Sequence, residues 1–330
     1  MSAVKERVVI SDTAGLIAFL KELSSDRAAI AGSYADSYRE LSEDPELSDR
    51  ERDYFTSELE RKLGYSESAD NPGLFGASDS NDYRFFYCAG SIMPEILTHG
   101  LQAREDKIYK SISVECAAEL RDRSYLGKLI RMQQNGCPVR MTELTSDPLI
   151  ALYHACKNKC DVSVFAVPAG EIAGAGSDRA LMLSVIPSLD LLTKRRLCEA
   201  AVNSLPAGRF QQLKGGSRYL DEAAEELYRR VTDEKPFFKR DIDPADLLRP
   251  LFVIPDKTTE KLALRGTAFL MSGLSSDADE AARKLTAERL SVIHPSDPDN
   301  LLEELSLLGI NGLSMASGMA QIASYFTDLS

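Results

Sequence analysis

The stretch from Gln133 to Cys160, QQNGCPVRMTELTSDPLIALYHACKNKC, constrains this chain more than any other. Gly136 and Pro138 break its first residues into a polar loop. A short segment carrying Arg140, Glu143 and Thr145 follows. Asp147 then stands where a helix N-cap belongs, and Pro148 at the first helical position, where its missing N–H costs nothing. Beyond them Leu149, Leu152, Tyr153 and Cys156 recur at helical spacing, with Ala151 and Ala155 among them, which predicts a deeply buried helix. The order of loop, charged segment and buried helix holds Arg140 and Glu143 against a rigid base. Three residues apart, they point to opposite faces of a strand but can pair in a turn. Two roles stay open. Arg140 could hold a phosphate or carboxylate while Glu143 orients a hydroxyl or acts as a base. Alternatively, the two form a buried ion pair that clamps the loop.

Around this stretch the pattern is α+β. Val8 to Ile10 reads as a short strand or extended lead, and Ser11-Asp12-Thr13 caps a helix through Leu23. Residues 27–65 are helical and heavily charged, which predicts a place on the outside. Ser66 to Asp82 is the best loop candidate. Strands are expected near residues 83–88, 162–167, 181–186, 252–254 and 263–271, with Leu290 to Ile293 a further candidate. Helices are expected over 107–132, 188–202, 220–232 and most of the chain after Asp277. The expected architecture is a small, mostly antiparallel sheet wrapped by many helices. An N-terminal helical segment, 1–80, packs on an α+β domain, 81–330.

Charge and composition exclude several function classes. The 330 residues carry a net charge of −12, against an extended nucleic-acid or anionic-membrane surface, which needs clustered Lys and Arg. The one basic run, Arg209 to Arg218 around Gly215-Gly216, reads either as a solvated loop or as a contact for an anionic ligand or a stretch of nucleic acid. No apolar run approaches the roughly 20 residues that span a bilayer. Six scattered cysteines and no secretory leader point to reduced thiols in the cytoplasm. His154, Cys156 and Cys160 lack a metal-ligand spacing, so no metal is expected. Gly174-Ala175-Gly176 follows a strand, but lacks the third glycine and the helix opening of a phosphate-binding turn.

The central stretch resembles the signature of the FRG domain, a family named for a Phe/Tyr-Arg-Gly motif. Its members typically read Gln-His-(His/Tyr)-Gly-Leu-Pro-Thr-Arg-Leu-Leu-Asp-Trp-Thr before an Asn-Pro-Leu-x-Ala-Leu-Tyr-Phe-Ala helix. Gln133, Gly136, Pro138, Arg140, Thr145, Pro148, Leu149, Ala151, Leu152, Tyr153 and Ala155 match in register. Val8 to Leu23, Lys261 to Phe269 and Leu301 to Phe326 are similar to the family's opening helix, late strand and closing helices. In the family the first helix runs sooner into the Arg-Gly strand, so residues 27–65 look like an inserted helical hairpin. The departures fall at polar positions. Ala89, before Gly90, and Ser91 stand at the naming Arg and Gln. Gln134 and Asn135 replace the loop histidines, Glu143-Leu144 the Asp-Trp pair, Lys261 the strand Arg and Arg265 the strand Gln.

The resemblance implies a pocket lined by Gln133, Arg140, Glu143, Thr145, Tyr153, Arg265, Ala89 and Gly90. The family's order of motifs is itself similar to ADP-ribosyltransferases, which grip NAD; NAD is then the cofactor to test. By that analogy Ala89 replaces an arginine and cannot grip a pyrophosphate, and Arg265 has the wrong sign to stabilise an oxocarbenium-like centre. The chain is read as a divergent FRG-domain protein of a prokaryotic cytosol. Three functions follow: a non-catalytic or altered module holding an anionic small molecule, an ADP-ribosyltransferase-like enzyme, or a scaffold for a protein partner.

Overall fold

Eight strands form one sheet in the order β1-β8-β4-β2-β3-β7-β6-β5. They are β1 (Arg7–Ile10), β2 (Tyr83–Ala89), β3 (Met141–Thr145), β4 (Val162–Pro168), β5 (Ala173–Gly174), β6 (Leu251–Ile254), β7 (Thr267–Met271) and β8 (Ser291–Pro295). The β1–β8 and β5–β6 pairs are parallel and the rest antiparallel. A computed structural model describes residues 7–63, 83–98, 100–121, 123–205, 218–239, 243–256 and 266–316, with 323 and 326. The loop expected at 66–82, the basic run before Arg218, His99, Lys261 and Arg265 lie outside them.

The helices are α1 (Thr13–Ser25), α2 (Arg27–Glu43), α3 (Asp49–Leu63), α4 (Glu105–Glu115), α5 (Ala117–Leu120), α6 (Tyr125–Gln134), α7 (Pro148–Asn158), α8 (Asp178–Val185), α9 (Leu191–Ser204), α10 (Arg218–Glu234), α11 (Ala278–Ala287), α12 (Pro298–Leu307) and α13 (Gly312–Met315). Among the described residues no helix is long and apolar enough to cross a membrane. The fold is thus the expected helix-wrapped, mostly antiparallel α+β sheet, with more strands than the five expected.

Period-2 alternation divides the sheet's side chains between two faces. Phe86, Leu144, Phe165, Phe252 and Leu270 pack on one face with Ile92 and Leu285. The other face carries two separate cores. Tyr87, Val162, Val164 and Ile293 pack with Leu16, Leu152 and Leu301 from α1, α7 and α12. Met141, Phe269, Leu251 and Val253 pack with residues of α6, α8, α9 and α10. β3 lies at the seam, and both α6 and α7 pack against it.

Two expectations need correction. Residues 181–186 belong to α8 and a following 3-10 turn, not to a strand. Ser177 caps α8 by accepting from the Ala180 N–H at 3.2 Å, and Ala180 through Val185 are all buried. A short run that is apolar on every side has no period, so it reads alike as buried strand or buried helix. The same cap means that Gly174-Ala175-Gly176 does lead into a helix. The second correction concerns the charged hairpin α2–α3. Tyr38, Tyr54 and Phe55 belong to the larger core, and Glu58 and Lys62 are buried.

The hairpin also closes a gap in the sheet. β4 outruns its partner β8, whose ladder ends at the Val164–Ser291 pair. The Tyr34 hydroxyl accepts from the Ala166 N–H at 3.1 Å and lies 3.0 Å from that residue's carbonyl oxygen, so the strand's free backbone groups are satisfied inside the core.

After β7 the chain folds tightly onto the turn before β6. A Cβ on Gly273 would stand 2.4 Å from the Leu248 carbonyl oxygen and 2.5 Å from its carbon, both backbone atoms. Gly273→Ala is expected to cost roughly 1–3 kcal/mol, because neither strand can move without breaking its ladder. A urea midpoint equal to that of the unmodified protein would disprove this close approach.

Candidate functional site

Arg140 enters β3 and is almost wholly buried, 1% exposed. β3 pairs with β7 from Met141–Met271 to Thr145–Thr267, and the Ser272 N–H extends the ladder to the Arg140 carbonyl at 3.1 Å. The guanidinium donates to Glu105 through Nε at 3.0 Å and Nη2 at 2.7 Å, and through Nη1 to the Gly273 carbonyl at 3.0 Å. Lys194 donates to the same Glu105 carboxylate at 2.7 Å. Burial alone would raise the Glu105 carboxyl, but Arg140 and Lys194 outweigh it and hold it below the usual range. Burial pushes Lys194 down, and Glu105 offsets only part of that. Arg140 therefore ties β3 to α4 and to the turn after β7, and Glu105 links it on to Lys194 of α9. It is a clamp, as one of the two readings has it, but its partner is Glu105 and not Glu143.

Glu143 lies opposite Phe269 in the β3–β7 ladder, three residues on from Arg140. It is half-buried and has no hydrogen-bond or ion-pair partner among the described residues. Thr145 sits between Tyr87 and Thr267, and its hydroxyl accepts from the Asp147 N–H at 3.0 Å. Asp147 in turn caps α7, accepting from Leu149 at 2.9 Å, as its position before Pro148 predicted. Gln133 closes α6 and Tyr153 is buried on α7, the two helices that meet at β3. The Gln133 Oε1 and Thr267 Oγ1 atoms are buried without a partner among the described residues.

At the end of β2, Ala89 pairs with Val162, and Gly90 turns the chain at φ +87°, its N–H donating to the Asp161 carbonyl at 2.9 Å. β2 and β3 are paired at Tyr87–Thr145. The structure therefore brings Gln133, Glu143, Thr145 and Tyr153 to one seam, with Ala89 and Gly90 at its β2 edge, and removes Arg140 from it. Glu143 and Gln133 offer acceptors there and the threonines offer hydroxyls. Burial pushes the Cys88 thiol, next along β2, up to about 12 and that of Cys156 on α7 up to about 11, far from a reactive thiolate. Arg265 lies outside the described residues; its neighbour Gly266 accepts from the Ser146 N–H at 3.0 Å.

Two charged groups had no signal in the sequence. The first is a network through the hairpin. Glu58 pairs with Arg249 and, at 2.8 Å, with Arg61; Arg61 reaches Glu171. Lys62 meets Glu288 at 3.0 Å, and the Tyr38 hydroxyl donates to that carboxylate at 2.5 Å. The void between Arg61, Glu171, Arg179, Arg249 and Glu288 is about 10 Å³, no more than one water needs. No substrate fits, so this is a structural network. The second group is Asp161, which accepts from His294 at 2.7 Å and pairs with Arg7 at 3.1 Å. It fastens β1 to β8 and the start of β4. These side chains are 37–58% exposed, where such pairs are worth ~0–1 kcal/mol.

Compared with protein-family models, with curated proteins and with solved structures, the chain matches none.

Proposed function

We propose that the chain is a non-catalytic, FRG-like module that acts by binding. The observation that carries this reading is the commitment of Arg140. All three of its nitrogens are held by Glu105 and Gly273, so the motif's arginine cannot release them to a ligand without stranding a buried carboxylate. The other cation that the transferase analogy needs is replaced by Ala89. An anion at the seam would meet the Glu143 carboxylate, which is unpaired among the described residues. Gripping and splitting NAD requires both a pyrophosphate clamp and a stabiliser of positive charge at the sugar; neither Ala89 nor Arg265 supplies its part.

The test is nicotinamide release from NAD, read by mass spectrometry. The unmodified protein is expected to release none above a protein-free blank. The double variant Ala89→Arg with Arg265→Gln restores the family's residue types. Release by that variant alone would identify a transferase scaffold that has lost its chemistry. Release by the unmodified protein would overturn the proposal.

A further inference from the structure

A cleft of about 260 Å³ opens between α2 and the connection from α11 into β8, on elements other than those of the β3 seam. Glu288 and Arg289 are engaged differently beside it. Glu288 turns inward to Lys62 and Tyr38. Arg289, the next residue, lines the cleft half-buried, and among the described residues its guanidinium has no hydrogen-bond or ion-pair partner. Asp161 acts on it electrostatically, but Arg7 and His294 already engage that carboxylate. Burial therefore holds Arg289 below its ordinary value, with Asp161 offsetting part of the effect.

The facing wall has the opposite sign. Glu40 on α2 is exposed and has no partner among the described residues, and Asp44 caps the helix C-terminus. The Asp44 carboxylate accepts one backbone N–H, that of Glu46 at 2.8 Å. Arg52 is close by but donates to the carbonyls of Asp44 and Leu47, at 3.3 and 2.8 Å, leaving that carboxylate alone. Both carboxylates stand at the end of α2 where the helix dipole is negative. Leu41, Leu290 and Val292 line the cleft with these charges.

One cation, two anions and an apolar lining select a class of ligand. An inorganic anion would satisfy Arg289 but face Glu40 and Asp44. A cation would do the reverse. The volume falls just below the ~300–1,000 Å³ of ordinary small-molecule sites, too small for a dinucleotide. We propose that this cleft binds a free α-amino acid with an apolar side chain. Arg289 takes the carboxylate through its two-pronged fork, Glu40 and Asp44 take the ammonium, and Leu41, Leu290 and Val292 take the side chain.

The test is calorimetric titration of the full chain with L-leucine, N-acetyl-L-leucine and L-leucinamide. L-leucine is expected to saturate one site. Each derivative lacks one charge and should bind at least about tenfold more weakly, as should L-leucine to Arg289→Gln and to Glu40→Gln. Among the described residues both side chains lack partners, so both variants should keep the unmodified melting temperature. Absence of saturable binding of L-leucine, equal binding of N-acetyl-L-leucine, or unaltered binding by folded Arg289→Gln would each overturn the proposal. The site is independent of the β3 seam, and NAD turnover there would leave these outcomes unchanged.

Discussion

Arg140→Ala is expected to lower the unfolding free energy by about 3–5 kcal/mol, read as a shift of the urea midpoint at neutral pH. The cost has three parts. Glu105, 2% exposed, keeps only Lys194 as a charged partner. The Gly273 carbonyl loses its side-chain donor, and the truncated side chain leaves a space between β3, α4 and α9. Glu143→Ala is the internal contrast. Its carboxylate is half-buried and unpaired among the described residues, so its removal should shift stability by no more than ~0.5 kcal/mol. A pocket arginine would behave differently: stability would hold and only ligand binding would fall. Equal midpoints for Arg140→Ala and the unmodified protein would reject the clamp.

The second large effect is loss of stability in acid, centred on Glu58. Burial alone would raise its carboxyl, but Arg249 and Arg61 pull it down from 4.5 to about 2. A depressed folded pKa stabilises the native state above the unfolded value and ceases to do so as pH falls through the folded one. The contribution is therefore complete above about pH 4.5 and gone near pH 2. At about 1.4 kcal/mol per pKa unit it amounts to about 3 kcal/mol. Glu105, Glu171 and Glu280 are also lowered, each by buried cations that outweigh burial, so they add to the same acid limb. Asp243 runs the other way: burial pushes it up despite Arg249, so its contribution is lost as pH rises through its folded value. Glu58→Gln keeps the side chain's shape and removes its charge. It should be about 3 kcal/mol less stable at pH 7 and should converge with the unmodified protein near pH 2, measured by urea titration across that range. Parallel curves over the whole interval would show that Glu58 is not the group that loses its charge.

The local readings that held share one property: the responsible atoms are neighbours in sequence. Asp147 and Pro148 start α7 because a cap and a missing N–H act within one turn. The aromatic, β-prone run from Tyr83 to Cys88 marks β2 for the same reason. Where the local signal is silent, the reading failed. Residues 181–186 have no polar side to reveal a period, and the single helix expected over 107–132 breaks into α4, α5 and α6. At the candidate site, Gln133, Glu143, Thr145 and Tyr153 are picked out by the resemblance of this stretch to the family signature. Glu105, Lys194 and Gly273 could not be, since nothing near any of them in sequence calls for Arg140.

The sequence by itself determined the helix-wrapped sheet, the buried α7 and its cap, and the rigid base under β3, because hydrophobic period and turn chemistry are short-range. Only the tertiary structure decided what the charges do. The carboxylate that holds Arg140 stands 35 residues upstream. The arginine that anchors Glu58 stands 191 residues away. A buried charge must find an opposite charge at hydrogen-bonding distance, whatever its place in the chain. That requirement draws the charged hairpin α2–α3 into the core and takes Arg140 away from the seam.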